Sequence, residues 1–116
     1  MTALQSDGLV DRIGEIASDR KAIDIRVLDV REIVGYTDYF LICSGNTERQ
    51  TKAIHDAIYE DLKRQGVLPR RVEGDRQARW ILMDYYDCVV HIFTPETRDY
   101  YRLEQLWGEA PARSVA

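Results

Sequence analysis

Tyr39-Phe40-Leu41-Ile42-Cys43 runs at once into Ser44-Gly45-Asn46, and then into Thr47 with Gln50 three residues on. The five apolar residues are β-prone and leave no polar face, which predicts a strand in the interior of a sheet. The small polar trio makes a turn. Thr47 and Gln50 have the form of a capping box, in which side chain and backbone satisfy amides left free at a helix start. The helix that follows carries Ala53, Ile54, Ala57, Ile58 and Leu62 on one stripe, fits a left-handed cap at Gly66 and is blocked by Pro69.

Toward the N-terminus, Ile23, Ile25 and Val27 alternate with Asp24 and Arg26 until Leu28 breaks the phase, the period of a strand with one wet face. A turn at Gly35 lets this strand pair with 39–43 as a hairpin. Leu9, Val10, Ile13, Ile16 and Ala17 recur at helical spacing behind Ser6-Asp7, which predicts a first helix over about Gly8 to Asp19. Toward the C-terminus, Val72 marks a short third strand, and Trp80-Ile81-Leu82-Met83 and Cys88–Phe93 make a hairpin around Asp84-Tyr85-Tyr86-Asp87. Thr94-Pro95-Glu96 then opens a last helix that runs to about Trp107, where Gly108 and Pro111 stop it. The order α-β-β-α-β-β-β-α predicts an α/β fold: a mixed five-stranded sheet flanked by helices, in one domain over 1–116. Its core spans about 9–108, and 109–116 is expected to be a flexible, frayed tail.

With 116 residues, 45% hydrophobic and 31% charged, the chain is long enough for one core and too short for two. Its longest apolar runs fall far below the roughly 18 residues of a membrane helix, and the acidic start does not fit a secretory leader. A cytoplasmic location is expected. Cys43 and Cys88 lie inside strand-like runs, where reduced, buried thiols are expected.

Sixteen Lys+Arg against twenty Asp+Glu give a net charge of −4, unsuited to binding a phosphate backbone. Asp84, Asp87, Glu96, Asp99, Glu104 and Glu109 outnumber Arg98 and Arg102 over residues 84–109, so the C-terminal third is expected to be an acidic surface. Arg64, Arg70, Arg71, Arg76 and Arg79 form a basic stretch, expected to be a solvated face. Tyr85 to Trp107 is rich in aromatic residues within the acidic third. Rings with a negatively charged surround fit a basic protein partner and disfavour sequence-specific nucleic acid.

Enzyme chemistry finds incomplete sets. Ser44-Gly45, between a strand and a helix, is where nucleotidyltransferases place a phosphate, but such enzymes need two close carboxylates on the next strand to hold metal ions. The segment after Gly45 is helix, and Asp56, Glu60 and Asp61 fall on its exposed side. Asp84 and Asp87 flank a turn, where aspartates bond backbone amides. His91 with a cysteine lacks an orienting third group, and His55 is the only other histidine, so no zinc spacing exists. No cofactor, metal or catalytic residue is expected.

Tyr36-Thr37-Asp38-Tyr39-Phe40, Cys43-Ser44-Gly45-Asn46 with Arg49-Gln50, and Val72-Glu73-Gly74 carry a wider pattern. It continues through Trp80, Asp84-Tyr85, Asp87, Val90-His91-Ile92-Phe93, Tyr100-Tyr101 and Leu103-Glu104-Leu106-Trp107. Over about Leu9 to Gly108 the sequence resembles the ribosomal silencing factor family, also called Iojap or RsfS. The resemblance implies a nucleotidyltransferase-like fold without the catalytic site. It also implies binding to the large ribosomal subunit through ribosomal large-subunit protein fourteen, which keeps the small subunit from joining and represses translation. Tyr86 departs from the pattern where the family usually has glycine, and Cys88 where an aliphatic is common. The binding surface is expected on strand four, strand five and the last helix: Trp80, Leu82, Asp84 and Tyr85, with Tyr86, His91, Tyr100 and Tyr101. Trp80, Leu82 and Asp84 share one side of a strand by period two. Two alternatives stand beside this reading: nucleotide binding at the Ser44-Gly45 turn, and a homodimer built on the exposed strand and rings, since members of the family are found as dimers.

Overall fold

The two interior strands of the sequence lie side by side at the centre of the sheet, β2 (Tyr39–Ser44) and β5 (Cys88–Phe93). They are parallel, in register from Tyr39 opposite Cys88 to Ser44 opposite Phe93. The structure is a computed structural model that describes residues 6–115. The other elements are α1 (Ser6–Asp19), β1 (Ile23–Asp29), α2 (Glu48–Arg64), β3 (Arg71–Glu73), β4 (Trp80–Asp84), α3 (Pro95–Tyr101), α4 (Leu103–Leu106) and β6 (Ala112–Ser114). The sheet runs β3-β4-β5-β2-β1-β6, with every neighbouring pair but the central one antiparallel. Both expected hairpins, β1–β2 and β4–β5, are present.

Alternation along the strands divides the core into two layers. Leu41, Cys43, Ile81, Met83, Val90 and Ile92 point to the face covered by α1 and α2, where Ile13, Ile54, Ile58 and Leu62 meet them with no exposure. Phe40, Ile42, Val89 and Phe93 point the other way, toward Leu103, Ala110 and Trp107. This explains why β2 and β5 have no polar side: each face is covered. It also explains the break of phase at Leu28, which belongs to the second layer while Val27 belongs to the first. A register shift between Ile23 and Arg26, with Asp24 at φ 51, leaves Ile23 exposed at the start of β1.

One half of the capping box at α2 forms as expected, with Thr47 Oγ1 accepting from Gln50 N at 3.1 Å, while Gln50 Oε1 reaches one residue further back and accepts from Asn46 N at 2.9 Å. Gly66 takes the left-handed conformation, φ 81. Asp61, expected on the exposed side of α2, instead faces α1 and takes both Nε and Nη2 of Arg12, at 3.1 and 2.6 Å.

Three further expectations are corrected. The sheet has six strands rather than five, because residues 112–114 add β6 to the free edge of β1. The tail expected to fray over 109–116 is therefore held through residue 115: Ala110 is buried in the second layer, and Val115 packs on the first while its N–H donates to Ile25 O at 2.9 Å. The last helix is two. Arg102 adopts φ 50, ψ 49 between α3 and α4, and this corner brings Leu103 and Trp107 down on the sheet while Tyr100 and Tyr101 stay outside. Arg98 holds the corner from within, with Nε and Nη2 on the two Glu104 oxygens at 2.8 and 3.0 Å and Nη1 on Ser44 Oγ at 2.9 Å.

Candidate interaction site

α3 and α4 cover the second face of the sheet over β2 and β5 but are too short to close it over β4, where Trp80 and Leu82 stay half-exposed. A cavity of about 400 Å³ lies there, walled by Phe40, Trp80, Leu82, Val89 and Trp107, with His91 also lining it and Arg70, Arg71 and Asp84 beside them. Period two along β4 sends Ile81 and Met83 into the helix-covered core and leaves Trp80 and Leu82 half-exposed on this side.

Trp80 is the hub of the aromatic cluster. Its ring centroid lies 4.6 Å from Tyr101 and 5.1 Å from Phe93, and its Nε1 donates to His91 Nδ1 at 3.1 Å. Tyr100 meets Tyr101 edge to face at 5.0 Å and is 80% exposed. His91 is buried between Phe40 and Trp80, and that burial pushes its pKa down to about 4, so the ring is neutral near pH 7.

Asp84 is on the same side of β4 but performs a structural task. Its Oδ2 accepts from Arg70 Nη2 at 2.7 Å, its Oδ1 accepts from the Tyr86 amide at 2.9 Å, and the residue is 2% exposed. Tyr86 occupies the turn at φ 71 with its ring exposed, and Arg70 lies over it at 5.2 Å. Tyr85 does not reach this surface. Its ring is buried in the layer under α1 and α2, because the position after Asp84 falls on the opposite side of the strand. Trp80, Leu82, His91, Tyr101 and, at one end, Asp84 and Tyr86 are thus brought together, while Tyr85 is separated from them.

The expected acidic surround is present beside Tyr100 and Tyr101, where Glu96 and Asp99 are exposed, but not in the cavity beside Trp80. Asp84 is sealed and paired with Arg70, Glu104 is paired with Arg98, and the cavity wall carries Arg70 and Arg71. The basic stretch folds back on the aromatic face through β3, which pairs with β4. Phe40, Val89 and Trp107 are site residues that the sequence reading left out. Phe40 and Val89 are buried core, and only the pairing of β2 with β5 reveals that they also form the floor of the cavity.

The Ser44-Gly45 turn sits at the carboxyl ends of the two parallel strands, next to a depression lined by Asn46, Arg49, Arg79 and Tyr100. Its amides are already used: Gly45 N donates to Phe93 O at 2.9 Å, and the Asn46 and Gln50 amides serve the capping box. A Cβ on Gly45 would stand 2.8 Å from the Thr51 N, so glycine is needed there for the close approach of α2. No group of three or more acids, histidines and cysteines able to hold a metal ion occurs among the described residues. Burial pushes both thiols up, Cys43 to about 12, away from nucleophilic use.

The profile described as "Ribosomal silencing factor during starvation" matches residues 3–116. The chain belongs to the ribosomal silencing factor family, RsfS. A ribosomal silencing factor RsfS of Bacillus subtilis is 45% identical over 93 residues, covering 80% of this chain and 79% of that protein. The chloroplastic protein Iojap of Zea mays is 37% identical over 99 residues, which span 84% of this chain and 42% of the longer plant protein. A crystal structure of a Chromobacterium violaceum protein superposes with a TM-score of 0.88 at 32% identity, covering 90% and 88% of the two chains. The RsfS name attaches the family to ribosome silencing and translation regulation, a regulatory role rather than an enzymatic one. Among the described residues no helix is long and apolar enough to cross a membrane.

Proposed function

We propose that this chain silences the large ribosomal subunit by docking its open sheet face on ribosomal large-subunit protein fourteen, so that the small subunit cannot join. The observation that carries this reading is the half-exposed Trp80, stacked on Tyr101 and flanked by Leu82 above a cavity that α3 and α4 leave uncovered. Aromatic anchors set in a well-packed pocket with polar groups at the edge are the usual centre of a protein interface. A body of 39 × 31 × 26 Å seated where two subunits meet holds them well beyond contact distance. Repression of translation by occlusion needs no reaction, and on this reading the chain acts in the cytoplasm. On this reading the mixed sheet is a nucleotidyltransferase-like frame that lacks the metal-holding pair of carboxylates.

Sedimentation of purified large and small subunits with the protein tests the proposal. Joined ribosomes are expected to decrease while the protein travels with the large particle; unchanged joining at saturating protein would sink it. A homodimer through the same rings would compete with the ribosome, and light scattering at rising protein concentration, alone and with large subunits, reads that competition.

A further inference from the structure

The cavity over β4 and β5 has a one-sided polar chemistry. An indole N–H can only donate, so the 3.1 Å contact from Trp80 Nε1 makes Nδ1 of His91 an acceptor. The ring is neutral, and its single proton therefore sits on Nε2. Nε2 has no partner among the described residues, and it is not one of the sealed, unsatisfied polar atoms of the interior. It is left to the cavity that His91 helps to line. The carboxylate of the wall is spent, Asp84 Oδ2 on Arg70 and Oδ1 on the Tyr86 amide. Arg70, whose Nε and Nη2 go to Asp84, and Arg71, paired with Glu73, add only the remaining N–H groups of their guanidiniums. The space thus offers rings and N–H groups but no uncommitted carboxylate.

We propose that the cavity takes an apolar side chain from an uncharged segment of the large-subunit protein, with a neighbouring main-chain carbonyl accepting the His91 Nε2–H. This inference rests on the docking face proposed above. A lysine or arginine side chain would meet Arg70 and Arg71 and find no free carboxylate, so the cations of a basic partner stay outside the cavity. A segment without an acceptor would bury the His91 donor unmatched, which costs more than the hydrogen bond itself contributes, and this selects the register in which a carbonyl is presented.

Binding to purified large subunits by sedimentation compares the wild type with His91→Phe, His91→Gln and Trp80→Ala, each checked by thermal melting. His91→Phe is expected to weaken binding about ten-fold. His91→Gln, whose carboxamide can accept from Trp80 and donate into the cavity, is expected to restore most of the loss. Nitrogen NMR of the free protein is expected to show Nε2 of His91 protonated and Nδ1 bare, a readout that stands even where a variant fails to fold. A proton on Nδ1, or wild-type binding by His91→Phe while Trp80→Ala releases the subunit, overturns this inference and leaves the docking face standing. Full binding by Trp80→Ala as well overturns both.

Discussion

Trp80 and Tyr86 show how differently two rings on one face are held. Trp80 is supported on three sides, by Tyr101, Phe93 and His91, so its exposed edge is presented rigidly. Trp80→Ala is expected to weaken large-subunit binding by about 2 kcal/mol or more while circular dichroism keeps the same secondary structure. Tyr86 stands at φ 71, where a side chain costs about 1–2 kcal/mol relative to glycine. Its contact with Arg70 offsets about 0.5–1 kcal/mol, and the greater unfolded-state freedom of a glycine about as much again. Tyr86→Gly should therefore leave unfolding stability within about 0.5 kcal/mol of the wild type, whereas Tyr86→Val should lower it by about 1–2 kcal/mol in a denaturant titration. The residues of this face were legible where period two applied, at Trp80, Leu82 and Asp84. Tyr85 belongs to the turn in the sequence reading, although the same alternation, continued one residue past the end of β4, puts its ring with Ile81 and Met83 on the helix-covered side.

At the scale of elements, the corner between α3 and α4 governs how much of the sheet is left open. It hangs on the Arg98–Glu104 pair, and the Arg98 hydrogen bond holds the Glu104 carboxyl below its usual value of 4.5. A depressed carboxyl stabilises the folded state above the unfolded pKa, and that contribution is lost as pH falls through the folded one. Trp107, which packs on Phe40 at 4.6 Å, should report a loosening at pH below about 4.5. The readout is tryptophan fluorescence in a Trp80→Phe background, where the neighbouring His91 no longer titrates against an indole, and Glu104→Gln should reduce that pH dependence. The two hairpins, the capping box and the long α2 were readable because each has a local signal of period or cap. The break at Arg102 and the strand β6 were not. An arginine carries no left-handed signal, and Ala112-Arg113-Ser114 carries no β signal; both conformations are imposed by tertiary contacts, Leu103 on one side and Ala110 and Val115 on the other.

For the molecule as a whole, the exposed Glu96 and Asp99 lie by Tyr100 and Tyr101 and not in the cavity beside Trp80. The sequence placed six acids beside the aromatic residues, yet the fold pairs two of them with arginines and lines the cavity with Arg70 and Arg71. Affinity for the large subunit should then depend more on ring burial than on ion pairing. Raising salt from about 0.1 to about 0.5 M should slow association but change dissociation less than about three-fold, measured by stopped flow or surface-bound subunits. A dissociation rate rising steeply with salt would instead assign the affinity to charge. The position of β6 bears on how such measurements are made. Four strand steps of about 4.8 Å separate it from β4, so a fluorophore or purification handle attached behind it hangs roughly 19 Å from Trp80, on the opposite rim. Labels belong at that end, whereas a graft in the 74–79 loop would sit beside Trp80 and Tyr101 and blind the very contact being watched.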